Sequence, residues 1–201
     1  MQSALDLLPR RSHQRFFRQI CAALTPVLIG FAVILAAPLS APQAKTDCSS
    51  LEIELDASAE FTTVECDQAN RMGGDISASH EDINAGDSQS VFLVRHVTAG
   101  NRTYLIRSNP KTLVEPAFAN AENWATAPGG NGFAVMRFRG WLKNYPDLPL
   151  SCFAFARYSG HVDRTTGYRH SLSGFYCANQ PNDISEAETR RLIGAIKHHF
   201  E

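Results

Sequence analysis

The stretch from Cys152 to Cys177, CFAFARYSGHVDRTTGYRHSLSGFYC, carries a cysteine at each end and a polar middle. Two antiparallel strands turning around Arg164 and Thr165 would set the two sulfurs side by side. A cystine there fixes the strand register, because a slip of one residue would turn every side chain to the other face. With Cys152 opposite Cys177, Phe153 faces Tyr176 and Phe155 faces Gly174, a ring laid over bare backbone. Ala154 and Ala156 then share the other face with Ser173 and Phe175. In the same register His161 lies opposite Tyr168, and Ser159 opposite His170.

Two more cysteines, Cys48 and Cys66, bracket Asp56-Ala57-Ser58, a turn-like triplet. Symmetry therefore predicts Cys48–Cys66 and Cys152–Cys177, each stapling its own hairpin. A zinc site built on these cysteines is excluded, since no C-x-x-C occurs and the spacings fit no finger. The fifth cysteine, Cys21, falls in a different kind of segment. Arg10, Arg11, Arg15 and Arg18 precede the apolar run Val27 to Leu39, and small residues follow at Ala41 and Ala44. This is the pattern of a secretory signal peptide over residues 1–44, cleaved near Ala41 or Ala44. An uncleaved anchor is the alternative, but the apolar run is short of the about 20 residues that span a bilayer. An even cysteine count behind such a signal places residues 45–201 in an oxidising compartment, the periplasm or the exterior.

Residues 45–201 read as one α+β domain. Leu51, Ile53 and Leu55 alternate with Glu52 and Glu54, and Phe61 and Val64 return, which predicts a first hairpin with an acidic outer face. Residues 67–90, with Gly73, Gly74 and Gly86 and little periodicity, predict an exposed acidic loop. Within it Asp82-x-Asn84-x-Gly86 resembles a calcium loop, but the glycine is one place early and Leu93 stands where a glutamate is required. Val91–Val97 and Arg102–Arg107 around Gly100-Asn101 predict a second hairpin. Asn101-Arg102-Thr103 also fits the short glycosylation sequon. Pro116–Ala125 predicts a short helix. Phe133–Leu142 predicts a strand with Ala134, Met136 and Phe138 inward and Arg137 and Arg139 outward. Ser185-x-x-Glu188 is a capping box. It opens a helix with Leu192, Ile193, Ile196 and Phe200 on one stripe and Lys197, His198 and His199 at its carboxyl end. The sum is an antiparallel meander of about seven strands, with the C-terminal helix packed on one face.

Charge divides the domain. Lys45 to Ser90 holds two basic and eleven acidic residues, net −9, whereas Val91 to Glu201 holds thirteen basic and eight acidic, net +5. Arg95, Arg137, Arg139 and Arg157 are candidates for one basic sheet face, and guanidinium groups match carboxylate and phosphate geometry. The alternative is intramolecular: the acidic segment folds over the basic sheet. His161, Asp163, Tyr168 and His170, near the last hairpin tip with Tyr158, Arg164 and Arg169, could do acid–base work, or simply form a solvated tip. The histidines with Asp163 are a poor metal set, because nothing in their spacing fixes their distances. There is no G-x-S-x-G nucleophile. The composition is not that of a chain that coats nucleic acid, and no residue pattern calls for a cofactor or a metal. These features predict an exported, disulfide-stapled module of the cell envelope that binds an anionic ligand or an envelope protein. A small hydrolase-like enzyme built on His161 and His170 is the alternative. Membrane contact is expected only through residues 1–44, if they stay attached.

Overall fold

The computed structural model describes residues 48–56, 60–73, 76–162 and 167–199. Residues 1–44, expected to be a signal peptide, the turn expected at Ala57-Ser58, Asp163, Arg164 and Phe200 lie outside these residues. The chain runs through β1 (Ile53–Leu55), β2 (Thr63–Gly73), β3 (Ile76–Gly86), β4 (Ser90–Ala99) and β5 (Leu105–Ile106). It continues through α1 (Pro110–Val114), β6 (Phe118–Ala127), β7 (Ala134–Leu142), β8 (Leu150–His161), β9 (Gly167–Ala178), α2 (Glu186–Gly194) and β10 (Ile196–His198). Eight strands form one antiparallel sheet in the order β2-β3-β4-β9-β8-β7-β6, with β5 paired to β9, and β1 pairs with β10 in a separate ribbon. Two runs of neighbouring strands, β2 to β4 and β6 to β9, therefore meet along the β4–β9 seam.

The centre of the sheet is β8 and β9, in the register that the cystine dictates: Cys152↔Cys177, Phe153↔Tyr176, Phe155↔Gly174, Ser159↔His170 and His161↔Tyr168. Cys152–Cys177 and Cys48–Cys66 are the two disulfides. Phe153 and Ala154 are both fully buried although they point to opposite faces, so the sheet is covered on both sides here. One face gathers Ile83, Phe92, Val94, Val135, Phe155 and Leu172 with Ile53, Leu55, Leu192, Ile193 and Ile196. The other gathers Phe138, Cys152, Ala154, Phe175 and Cys177 with Val114 and Phe118. Burying each large side chain in such a cluster contributes about 1.5–3 kcal/mol.

Several elements differ from the sequence reading. The segment with Leu51, Ile53 and Leu55 does not return on itself: β1 pairs with β10, Ile53 opposite His198. Cys48–Cys66 thus ties a 3-10 turn at Cys48–Ser50 to β2 rather than closing a hairpin. The expected acidic loop 67–90 is mostly the long β2–β3 hairpin, paired from Thr63↔Gly86 to Gly73↔Ile76. Its polar, alanine-rich strands have weak intrinsic β preference, and the ladder on β4 overrides it. Residues 102–107 do not pair with β4; Leu105 and Ile106 pair with Tyr168 and Gly167 of β9. Pro116–Ala125 is a 3-10 turn followed by the edge strand β6. The short helix lies earlier, at α1, where Asn109 caps the Lys111 amide and Pro110 takes the first turn. On β7 the inward and outward assignment fails: Val135 and Phe138 are both buried, one on each face.

The C-terminal helix also ends early. Ala195 closes α2, and Ile196 to His198 form β10. Ile196, Lys197 and His198 therefore sit on a strand, not a helix. A methyl group at Gly194 would meet nothing within 4 Å, so no close crossing demands glycine there. At the other end the Ser185 hydroxyl accepts a hydrogen bond from the Glu188 amide at 3.1 Å. The Glu188 carboxylate is engaged by Arg191. Ser185→Ala is expected to cost about 1 kcal/mol, read as a lowered urea midpoint at unchanged slope. An unchanged midpoint would show that water replaces the cap at no cost.

Candidate functional site

The strand registers separate the four arginines expected on one face. Arg137 lies opposite Phe153, Arg139 opposite Ser151, and Arg157 opposite Leu172, whereas Arg95 lies opposite Ser173. Alternation places Arg137, Arg139 and Arg157 on the Phe153 face and Arg95 on the other. Arg95 is also engaged: its Nε and Nη2 donate to the two Asp82 carboxylate oxygens at 2.7 and 2.6 Å. That fork raises its pKa still further. Arg157 contacts His198 Nε2 at 2.8 Å and lies over the Phe133 ring.

Arg137 and Arg139 remain. Arg139 donates to the Ser151 hydroxyl at 2.8 Å and to the Pro181 carbonyl at 3.4 Å. The buried Nε of Arg137 has no hydrogen-bond partner. Both residues line a groove of about 300 Å³ with Asn123, Thr126 and Asp183. The β6–β7 register slips between Glu122 and Ala125, and Asn123 takes a left-handed φ of 58°. A bulge of this kind bends an edge strand and re-aims its side chains, which opens the groove beside β7.

Part of the acidic charge is used within the molecule. Besides Asp82–Arg95, Glu60 pairs with Arg191, and Asp56 with Lys197 at 3.1 Å. Each of these pairs joins the acidic N-terminal portion of the domain to the basic remainder.

The hairpin-tip candidates part company. His161 is exposed and meets Tyr168 edge-to-face at 5.7 Å. The Arg107 guanidinium lies 5.3 Å from the Tyr168 ring centre. The Tyr158 hydroxyl accepts from the Ser108 amide at 2.9 Å. His170 instead faces His96, with ring centres 5.5 Å apart and ring planes 21° apart.

His96 was not singled out by the sequence reading, nor were Glu52 and Glu81. Along β4, Phe92, Val94, His96 and Thr98 share one face, so a histidine occupies a core position. That alternation was legible; the partners were not, since they come from β3, β9 and the residue before β1. His96 is 1 % exposed. Its Nδ1 is 3.4 Å from Glu81 Oε2 and 3.6 Å from Glu52 Oε2. Its Nε2 is 3.3 Å from His170 Nδ1, and Thr98 Oγ1 is 3.3 Å from both nitrogens. Glu81 is itself buried, held by the Glu52 amide at 3.0 Å and the Gln68 side-chain amide at 3.2 Å. Burial pushes the His96 pKa down to about 4, against the opposing pull of Glu52. Burial lowers that of His170 too. Both rings are thus neutral near pH 7, the form that can accept a proton or hold a metal ion.

No described helix is long and apolar enough to cross a membrane. Comparisons with protein-family models, with curated proteins and with solved structures find no match to this chain.

Proposed function

We propose that the chain is an exported binding module of the cell envelope, and that it takes an anionic group in the Arg137–Arg139 groove. The observation that carries this reading is the state of those two side chains. Arg95 is committed to Asp82 and Arg157 to His198, while Arg137, which lines the groove, has a buried Nε with no hydrogen-bond partner. A buried donor of this kind favours an acceptor that a ligand supplies. Guanidinium pairs suit the planar fork of a carboxylate or the oxygens of a phosphate or sulfate. Asp183 on the same groove favours a ligand that also carries hydroxyl or amine donors, as acidic glycans do. In this reading α2 and the β1–β10 ribbon close the Phe92 face of the sheet, and binding falls to its β6–β7 margin. The disulfides suit the oxidising compartment that export implies. The acid–base alternative at His161, Asp163, Tyr168 and His170 has less behind it, because His170 is turned toward His96.

An array of carboxylated, phosphorylated and sulfated glycans tests this proposal. The protein is expected to retain at least one class at physiological salt. Arg137→Ala/Arg139→Ala is expected to weaken that retention about tenfold or more, as loss of charge-assisted pairs does. Arg190→Ala, on the solvent side of α2, is expected to leave it unchanged. Retention of no anionic class, or equal retention by the double variant, would remove the reading.

A further inference from the structure

A second site, separate from the arginine groove, lies where the start of β1 meets the β3-β4-β9 seam. One ligand atom each from Glu52, His96 and His170 lies within 4.8 Å of the other two. We propose that Glu52, His96 and His170 bind one divalent cation of the zinc class, with Glu81 as the outer carboxylate that orients His96.

The two histidines carry the geometry. A carboxylate only accepts hydrogen bonds, so the contact of His96 Nδ1 with Glu81 places the ring proton on Nδ1. The lone pair of a neutral His96 is then on Nε2, directed toward His170 Nδ1 and Thr98 Oγ1. Those three atoms form a triangle with every edge 3.3 Å. Two ligands of a tetrahedral zinc ion, with metal–ligand bonds of about 2.0–2.1 Å, stand about 3.4 Å apart. The spacing of the two histidine nitrogens therefore already matches one edge of such a polyhedron. Carboxylate–histidine–metal relays of the Glu81–His96 kind fix the tautomer and the ring angle of a ligating histidine. Glu81 is fixed in turn by Gln68 and by the Glu52 backbone amide. The third ligand differs in character. Glu52 Oε2 stands 3.6 Å from His96 Nδ1, beside Glu81, and its side chain is 55 % exposed, so it would have to swing to the Nε2 side to reach the ion. Two histidines and one carboxylate would leave a position open to water or to a ligand atom, as in catalytic rather than structural zinc sites. Imidazole nitrogen selects the zinc class over calcium and magnesium, which take oxygen ligands.

The test is a titration of the full-length, chelator-stripped protein, with its disulfides intact, against a chromophoric chelator. Zn²⁺ is expected to bind at one equivalent, with Ca²⁺ not competing. His170→Gln is expected to weaken Zn²⁺ binding about tenfold or more, and Glu81→Gln by about tenfold through the relay. His161→Gln, at the exposed tip of the same hairpin, is expected to bind as wild type. His170 is only half-buried, so its variant should retain the wild-type circular dichroism spectrum, which separates lost ligation from lost folding. His96→Gln is a second variant for the same comparison. The proposal is overturned if no Zn²⁺ binds at about 10 μM. It is also overturned if folded His170→Gln binds as tightly as wild type, or if His161→Gln alone removes binding.

Discussion

Protein carrying Gly174→Val is expected to lose at least about 3 kcal/mol of folding stability, at the upper end of what overpacking costs. Gly174 stands at the crossing of the sheet's central ladders, opposite Val94 on one side and Phe155 on the other. A Cβ there would collide with the Leu93 carbonyl oxygen and come within 2.7 Å of Phe155 Cζ. The ring is fully buried and set against Phe92 and Phe133, so it has nowhere to retreat. The carbonyl belongs to a strand paired on both edges. Neither neighbour can yield without breaking the β4–β9 seam. Urea denaturation measures the loss. Gly194→Ala is the matched control: it has open space and is expected to be neutral or stabilising by up to about 1 kcal/mol. A Gly174→Val midpoint equal to wild type would mean that β8, β9 and β4 are not in this register.

The second large effect is expected from Cys152→Ala/Cys177→Ala. The sequence separation is 25 residues, and closing a loop of that length in the unfolded chain is worth about 3.5 kcal/mol. Both sulfurs are buried in the cluster with Phe138 and Phe175, so their removal also thins the packing under α1. The Cys48–Cys66 loop spans 18 residues, worth about 3 kcal/mol by the same relation, and it ties the margin of the fold rather than its centre. The order of the two double variants in a denaturation series checks the assignment. A loss below about 1 kcal/mol for the Cys152–Cys177 pair would show that the sheet alone already holds the two strands together.

What the sequence made legible follows from how far each residue is from its partner. The β8–β9 hairpin is local, its strands are apolar on both sides, and the cysteines mark its register. The β2–β3 hairpin is equally local, but Asp67, Gln68, Asn84 and their neighbours do not look like strand residues. Only the ladder on β4 makes them so. The alternation of β1 was legible, but its pairing was not, because its partner, β10, lies at the other end of the domain. The same distance hid the site at His96, whose partners Glu52, Glu81 and His170 come from three other stretches. For the arginines, residue type was the visible signal, whereas the face depends on registers across β4, β9, β8 and β7. A one-residue difference in parity removes Arg95 from the set. The division of charge was visible, and Asp82–Arg95, Glu60–Arg191 and Asp56–Lys197 show that part of it is settled inside the molecule.

The pairing of Ile53 with His198 and of Leu55 with Ile196 bears on how the polypeptide assembles. Of the described strands β1 leaves the ribosome first, and it must wait for β10, the last of them, before it can be zipped up. Until β10 is made, that seam stays unmade, and Glu52, the residue before β1, is not held beside His96. Long-range closure of this sort is slow compared with the making of local hairpins. Such a delay would suit the export proposed above, in which the chain crosses a membrane before it folds.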